Sequence, residues 1–271
     1  MKPKALVLQA RGSNRDYDVM QALELAGASA EGVPLNDLRR AKKRWADYQM
    51  MVVPGGFSYA DALGAGKLLA IDLNSYFADE IKAFVAAGKP VIGICNGFQA
   101  LVKSGILPGE SPSPLQGEGR GEGRGAEGRA TLTFNAEGHF ECRWVTLAPI
   151  SQTCHWTKGL NDNIICPIAH GEGNFQVSEH LLFTTLSSMD QIALTYIHTD
   201  GEPARGEYPA NPNGSALDIA GICNPQGNVL GLMPHPENHI FAWQHPQHTR
   251  GKSDQSGLAL FANGVKYAAG L

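Results

Sequence analysis

The chain has 271 residues and a formal net charge of −4, with 43% hydrophobic and 18% charged residues. This composition is ordinary for a folded globular protein and excludes a chain that is disordered throughout. The small negative charge gives no electrostatic reason to expect nucleic acid or an anionic membrane as a partner, so small molecules or other proteins are expected instead.

The first part of the chain alternates between predicted strands and helices. Residues 4–9 form an apolar strand, and Asp16 is expected to cap the helix that follows and ends at Gly27. A second apolar strand over 49–53 runs into Pro54-Gly55-Gly56, where the absence of side chains on the glycines lets backbone amides approach a ligand. The sequence therefore predicts a possible binding loop at the end of this strand.

A third strand follows a second predicted helix. The helical pattern starts near Ser75 and stops at Gly88, and Pro90–Ile94 is an apolar run typical of a buried central strand. Alternation of this kind predicts an α/β fold, with a mostly parallel central sheet and helices on both faces.

Residues 111–129 interrupt this pattern with a glycine-rich segment that has no apolar periodicity. Such a segment cannot bury enough apolar surface to offset the entropy lost on ordering, so we interpret it as a mobile surface insertion. The alternative, an arm that binds a partner, has no support in its chemistry. We expect residues 1–271 to form one domain that carries this insertion.

The second part of the chain is rich in predicted strands. Residues 216–237 are expected to form two strands around the turn at 224–228, and a last helix is expected over about 257–269. Further strands are predicted at TLTFN (131–135), FECRWVTL (140–147), IICPIAH (164–170) and QIALTYI (191–197).

Cys95 lies where the buried strand over 90–94 meets a helix that starts at Asn96. Gly93 and Gly97 stand two residues before and after it, as in a nucleophile elbow, the sharp strand-to-helix turn that presents a catalytic nucleophile. Glycine is needed there because side chains would collide with neighbouring backbone. A helix N-terminus also favours the reactive thiolate. The alternative is a buried, inert cysteine.

His235 is the candidate acid and base for this nucleophile. It follows the apolar strand VLGLM (229–233), and Glu237 stands close enough to orient the imidazole if the backbone is extended. Pro234 and Pro236 are expected to enforce that extension. A plain surface turn is the alternative for this segment.

Backbone amides of Gly56 and Asn96 are the predicted oxyanion hole. Acyl transfer requires N–H groups that point at the developing negative oxygen. Both amides follow the carboxyl ends of predicted parallel strands, where ligand clefts form in α/β sheets. Taken alone, residues 54–56 are better explained as a simple turn.

Two other patterns resemble functional sites but are incomplete. Residues 64–68 resemble a phosphate loop, yet Asp61 replaces its first glycine and Leu68 its metal-binding Ser or Thr, so no nucleotide site is expected. Four histidines near the C-terminus lack the spacing of a familiar zinc site, and no metal is expected. They are His235, His239, His245 and His248.

The cysteines and the apolar runs bear on the cell compartment. The five cysteines include no CxxC pair, which favours a reducing environment. The apolar run near the N-terminus is too short for a signal peptide, and no segment reaches the roughly eighteen apolar residues of a membrane span. We expect a cytoplasmic location.

Five motifs together resemble the glutaminase subunits of phosphoribosylformylglycinamidine synthase (PurQ type), within the class I, triad-type glutamine amidotransferases. The resemblance covers nearly the whole chain apart from the glycine-rich insertion. The motifs are PGGFSYADALGAG (54–66), GICNGFQAL (93–101), HGEGNF (170–175), NPNGS (211–215) and GLMPHPENH (231–239).

The resemblance implies a flavodoxin-like fold and a triad of Cys95, His235 and Glu237 that hydrolyses L-glutamine. It further implies that Gln99 helps to hold the substrate, and that residues 170–173 lie near the cleft or the synthetase partner. Other residues expected to bind substrate on the same grounds are Gly55, Phe57 and Gly171.

By the same resemblance, the ammonia passes to an ATP-dependent synthetase subunit (PurL), with a small subunit (PurS), which makes formylglycinamidine ribonucleotide in purine biosynthesis. ATP and Mg would be used by the partner, and this chain would need no cofactor. Residues 10–16 depart from the family pattern, which leaves the role of that loop open.

Two alternatives remain open from the sequence. One is an amidotransferase that serves another acceptor, because triad chemistry does not name the acceptor; motifs 54–59 and 170–175 argue against it. The other is a binding module of the same fold with a redox-sensitive Cys95. A sensor needs no acid–base pair, so His235 and Glu237 speak against it.

Overall fold

The computed structural model describes residues 2–109, 130–178, 186–251 and 256–271. The helices are α1 (Asp16–Leu25), α2 (Leu35–Arg39), α3 (Lys67–Tyr76), α4 (Ala78–Ala86), α5 (Asn96–Lys103) and α6 (Gly257–Ala269). The strands are β1 (Lys4–Gln9), β2 (Ser29–Pro34), β3 (Met50–Val53), β4 (Val91–Ile94), β5 (Ala130–Thr133), β6 (Glu141–Pro149), β7 (Ile164–His170), β8 (Asn174–Val177), β9 (Ile192–Ile197), β10 (Ile219–Cys223) and β11 (Val229–Leu232).

One mixed sheet organises the fold, with strand order β2-β1-β3-β4-β11-β10-β9-β6-β7. The pairings from β2 to β11 are parallel, and those from β11 to β7 are antiparallel. β3, β4 and β11 are neighbours and every one of their residues is buried. Because they run in parallel, the loops that follow them meet at one edge of the sheet.

The crossover connections distribute the helices over both faces of this sheet. The chain moves one way along the sheet from β1 to β2 and the other way from β3 to β4, so right-handed crossovers put α1 on one face and α3 with α4 on the other. α1 contacts α6, while α5 packs on β4 and contacts α3. The predicted α/β fold with a mostly parallel sheet is confirmed.

Several elements follow the sequence prediction, but four of the described helices and strands were missed, namely β2, α2, α3 and β8. β2 escaped prediction because this edge strand buries only Val33 and contains Gly32. α3 starts directly after Gly66, within the segment dismissed as an incomplete phosphate loop. Asp16 is the first residue of α1 rather than its cap, and its carboxylate accepts a hydrogen bond from Gln9 Nε2 at 2.5 Å. The predicted insertion at 111–129 lies outside the described residues.

A small two-stranded sheet lies beside the main one. β5 pairs antiparallel with β8, and β5 also contacts α5. The Phe175 ring of β8 stacks on Phe98 of α5, with ring centroids 6.1 Å apart. Through this packing, the chain segments on either side of β8 are held close to the start of α5.

Candidate active site

Cys95 occupies a strained turn between β4 and α5. Its φ of 50° and ψ of −108° are uncommon for a residue with a side chain, and strain of this kind clusters at functional sites. The Cys95 amide donates to Leu232 O at 2.8 Å, which ties the turn to β11. A Cβ added to Gly97 would lie 1.9 Å from Val53 O, and one added to Gly93 would lie 2.9 Å from Gly97 C. The glycines are therefore required sterically, as the sequence predicts.

His235 and Glu237 form a buried hydrogen-bonded pair. The distance between His235 Nδ1 and Glu237 Oε1 is 2.7 Å, and both side chains are almost completely inaccessible to solvent. The His235 amide donates to Pro167 O at 2.8 Å, which fixes the backbone against β7. The predicted extended backbone is wrong, because Pro236–Asn238 forms a 3₁₀ turn. Proline is well suited to the first position of such a turn, and the turn brings the carboxylate back to the imidazole.

Gly55 brings the loop after β3 against both His235 and Cys95. A Cβ on Gly55 would lie 2.8 Å from His235 Cε1 and 3.4 Å from Cys95 Cβ, so the three residues form one cluster. Cys95 Sγ also lies 3.8 Å from Ala169 O on β7. The structure thus brings together the nucleophile and the acid–base pair that the sequence predicts at separate strand ends.

Electrostatics in this cluster favour a protonated imidazole. Burial opposes the charge, but the Glu237 carboxylate and Cys95 raise the pKa of His235 from 6.5 to about 10. A protonated imidazole beside the nucleophile can donate its proton to a leaving group. The pair is therefore suited to proton donation after nucleophilic attack.

The raised pKa of His235 predicts a pH-dependent contribution to stability. Since the folded-state pKa of about 10 exceeds the ordinary value of 6.5, this contribution is complete below pH 6.5 and is lost as the pH rises through 10. We expect the free energy of unfolding of the wild type, minus that of a His235→Asn/Glu237→Gln double variant, to shrink steadily between pH 6.5 and 10. Chemical denaturation at several pH values measures it, and a constant difference would contradict the charged pair.

The predicted oxyanion residue Gly56 lies in a loop held by residues 10–16. Gly56 has a φ of +130°, and a Cβ there would lie 2.7 Å from Asn14 N and 2.9 Å from Gly12 O. The Phe57 amide donates to Gly12 O at 3.0 Å. The atypical loop after β1 therefore has a definite structural role, since it supports the loop that carries Gly55 and Gly56.

Asn96, the other predicted oxyanion residue, is the first residue of α5, directly after the nucleophile. Its side chain is buried and accepts a hydrogen bond from Ser58 N at 3.1 Å. This bond joins the start of the helix to the loop that follows Gly56. An oxyanion hole made of the Gly56 and Asn96 amides remains a prediction that fits this arrangement.

The substrate roles of four residues also remain predictions. Gln99 is buried, and its side chain donates to Glu172 O at 2.6 Å and accepts from Asn96 Nδ2 at 3.0 Å. Gly171 accepts a hydrogen bond from Asn135 N at 2.9 Å. Gly55 contacts the catalytic cluster, as described above, and the Phe57 side chain is 45% exposed.

His170 is buried near the catalytic cluster. The sequence analysis included it only as part of the segment 170–173 and gave it no role of its own. Burial, together with the charge of His235, lowers the pKa of His170 to about 3, so this imidazole is neutral. Its Nδ1 lies 3.0 Å from Asn135 Oδ1, which also accepts from Gly173 N at 2.9 Å. The HGEGNF motif pointed to this segment, but no local pattern links it to Asn135.

The NPNGS motif supports the same segment from the other side. Asn213 Nδ2 donates to Gly173 O at 2.8 Å, and Ser215 Oγ donates to the same carbonyl at 3.3 Å. Ser215 Oγ also accepts from Phe175 N at 3.0 Å. This motif therefore fixes the backbone between β7 and β8 through its bonds to Gly173 and Phe175.

In the part of the chain that the structure describes, no group of three or more His, Cys, Asp or Glu side chains is arranged to hold a metal ion. The His239 ring lies edge-on to Trp144, with ring centroids 5.0 Å apart, within a cluster that also contains His245. Across the same described residues, no helix is both long enough and apolar enough to span a membrane.

Comparison with known proteins identifies the family. A model of the CobB/CobQ-like glutamine amidotransferase domain matches residues 2–268. The chain belongs to this glutamine amidotransferase family. The phosphoribosylformylglycinamidine synthase subunit PurQ of Treponema denticola is 55% identical over 271 residues, covering 98% of this chain and 99% of the relative. The subunit of the same name from Dehalococcoides mccartyi is 42% identical, covering 98% of both chains.

A solved structure of the same family shares the fold. This amidotransferase superimposes on a chain from the structure of PurLQS from Thermotoga maritima with a TM-score of 0.72 and 30% sequence identity. The match covers 98% of this chain and 99% of the other. Sequence family and fold therefore agree over almost the full length.

Proposed function

We propose that this chain is the glutaminase subunit of phosphoribosylformylglycinamidine synthase. It hydrolyses L-glutamine to glutamate and ammonia, and the ammonia passes to an ATP-dependent synthetase subunit. The observation that carries the chemistry is the strained Cys95 turn beside the buried His235–Glu237 pair. The names of the similar relatives, and the PurLQS structure that contains a matching chain, support the synthetase as the acceptor.

The proposed reaction begins with attack by the Cys95 thiolate on the side-chain amide carbon of glutamine. A C–S bond forms, and the carbonyl oxygen takes the negative charge in the oxyanion hole of Gly56 and Asn96. His235 then donates its proton to the nitrogen, the C–N bond breaks, and ammonia leaves a glutamyl thioester.

Hydrolysis of the thioester uses the same residues, but His235 now acts as a base instead of an acid. The neutral imidazole of His235 removes a proton from water while the water oxygen attacks the thioester carbon. The C–S bond then breaks, which releases glutamate and restores the thiolate. The Glu237 carboxylate holds the imidazole in one tautomer and stabilises its charge through both halves of the cycle.

The same proposal extends to the cofactors, the cell compartment and the domain organisation. This chain supplies all the groups for glutamine hydrolysis itself, so ATP and Mg belong to the synthetase partner. All five cysteines have free thiols, which supports a reducing compartment such as the cytoplasm. We also propose a single domain, since the main sheet joins strands from residue 4 to residue 232.

Reconstitution with the synthetase tests the proposed function. The complex, given glutamine, ATP and formylglycinamide ribonucleotide, is expected to produce glutamate and the amidine product in equal amounts. An ammonium salt in place of glutamine is the control, because it bypasses this chain. Glutamate release without amidine formation would contradict the proposed acceptor, and the absence of both glutamate and a trapped Cys95 thioester would favour a non-catalytic binding module.

A further inference from the structure

Three polar residues on one side of α5 contact the loop after β3 and the loop after β7, both of which lie beside the catalytic cluster. Asn96, Gln99 and Lys103 are three and four residues apart, a spacing that places them on the same side of a helix. Asn96 Nδ2 donates to Asp61 Oδ1 at 2.9 Å. Gln99 holds the backbone carbonyl of Glu172, as described above. The start of α5 is therefore cross-linked both to the loop after β3 and to the loop after β7.

Ala65, near the end of the loop after β3, is held on both sides of its backbone. Its amide lies 3.3 Å from both carboxylate oxygens of Glu172, and its carbonyl accepts from Lys103 Nζ at 2.5 Å. Lys103 Nζ also lies 3.5 Å from Glu172 Oε2. Both charged side chains are about four-fifths buried, at 21% and 18% exposure, so water screens these contacts little. We call this arrangement the Ala65 clamp.

The loop that the clamp holds is strained. Tyr59, Ala60 and Asp61 have φ values of 54°, 54° and 52°, and Leu63 has 66°, although none of them is glycine. Side chains disfavour the left-handed region, so a run of such residues persists only where surrounding contacts enforce it. The same loop begins with Gly55, which contacts His235 and Cys95. A displacement of Ala65 would therefore be passed along the strained residues 59–63 to Gly55, and so to the catalytic cluster of Cys95 and His235.

We propose that Glu172 and Lys103 are positioning residues for the glutaminase reaction. Through the Ala65 clamp they hold residues 54–66 in the conformation that sets the Gly55 and Gly56 backbone beside Cys95. Both residues act on the backbone of the loop at Ala65, and neither is given a proton-transfer step. The inference rests on the proposed function and extends it by assigning a role to the Glu172 of the HGEGNF motif.

Lys103→Met and Glu172→Ala, assayed in the complex with the synthetase, test this inference. Loss of an oxyanion-hole donor lowers kcat by roughly 100- to 1,000-fold, so a displaced but present donor is expected to lower kcat for glutamine at least about tenfold. KM is expected to stay within about twofold, because the lost interaction forms in the transition state. Alkylation of Cys95 by iodoacetamide requires no oxyanion hole, so its rate should match the wild type.

Matched variants complete the design. Lys82→Met removes an exposed lysine on α4 that is not one of the clamp residues, and it is expected to leave kcat unchanged. Lys103→Arg retains a donor and is expected to recover part of kcat. If Glu172→Ala fails to fold, Glu172→Gln keeps the side-chain volume while removing the charge, and a smaller loss confined to kcat is expected.

Three results would overturn the inference. Wild-type kcat in Lys103→Met and in the Glu172 variant would show that the clamp is dispensable. A rise in KM at constant kcat would make these residues substrate-binding groups. A parallel fall in Cys95 alkylation would indicate general disruption of the fold. If the wild-type complex itself releases no glutamate from glutamine, the proposed function fails, and the inference fails with it.

Discussion

Cys95→Ala is expected to abolish glutamine-dependent activity. Alanine leaves no nucleophile for the thioester, and the neighbouring His235 and Glu237 act only on groups that the thiolate has attacked. Removing the nucleophile of a comparable triad lowers kcat by about 10⁶-fold, which would place glutamate formation below detection. Release of glutamate from glutamine by the complex with the synthetase is the measurement.

Two controls separate the chemistry at Cys95 from other effects. Cys142 is an exposed cysteine on β6, so Cys142→Ala is expected to keep full activity. The Cys95→Ala complex supplied with an ammonium salt is expected to form the amidine product at the wild-type rate, because only ammonia generation is lost. Substantial glutamine-dependent synthesis by Cys95→Ala would rule out the thioester mechanism.

The nucleophile turn could be predicted from sequence because its determinants are local. The apolar run of β4 and the glycines at 93 and 97 lie within a few residues of Cys95, and the steric need for Gly97 is visible in its contact with Val53 O. His235 was predictable for a related reason, since it closely follows β11. What the sequence did not reveal is how these strand ends meet, which depends on the order of strands in the sheet.

Features that depend on distant contacts were missed. Gly12 supports the loop around Gly56 across more than forty residues, and Asn135 anchors His170 across thirty-five. The clamp is similar, since Ala65 N and Glu172 are 107 residues apart. No short pattern encodes such pairs, because each partner is a common residue type with nothing distinctive about it in its own segment. The wrong prediction of an extended chain after His235 has a local cause, since proline at 236 suits a 3₁₀ turn as well as an extended strand.

Glu237→Gln is expected to lower kcat strongly while leaving the fold intact. The amide has nearly the same shape as the carboxylate, so the contact with His235 Nδ1 at 2.7 Å can persist sterically. An amide cannot stabilise the imidazolium, and it can select the wrong tautomer through its N–H donor. The corresponding change in a serine-protease triad lowers kcat about 10⁴-fold, and we expect a loss of about 10³- to 10⁴-fold here.

Loss of the Glu237 charge also changes the titration of His235. The carboxylate is one of the groups that raise its pKa to about 10, so the pKa of His235 is expected to fall in Glu237→Gln. The imidazole then loses its proton at lower pH, which reduces the fraction able to protonate departing ammonia. NMR titration of the imidazole, with Glu80→Gln on the exposed surface of α4 as the matched control, measures this shift. An unchanged His235 titration, or wild-type kcat, would show that Glu237 only packs against the imidazole. Another group would then have to set the protonation state of His235 during catalysis.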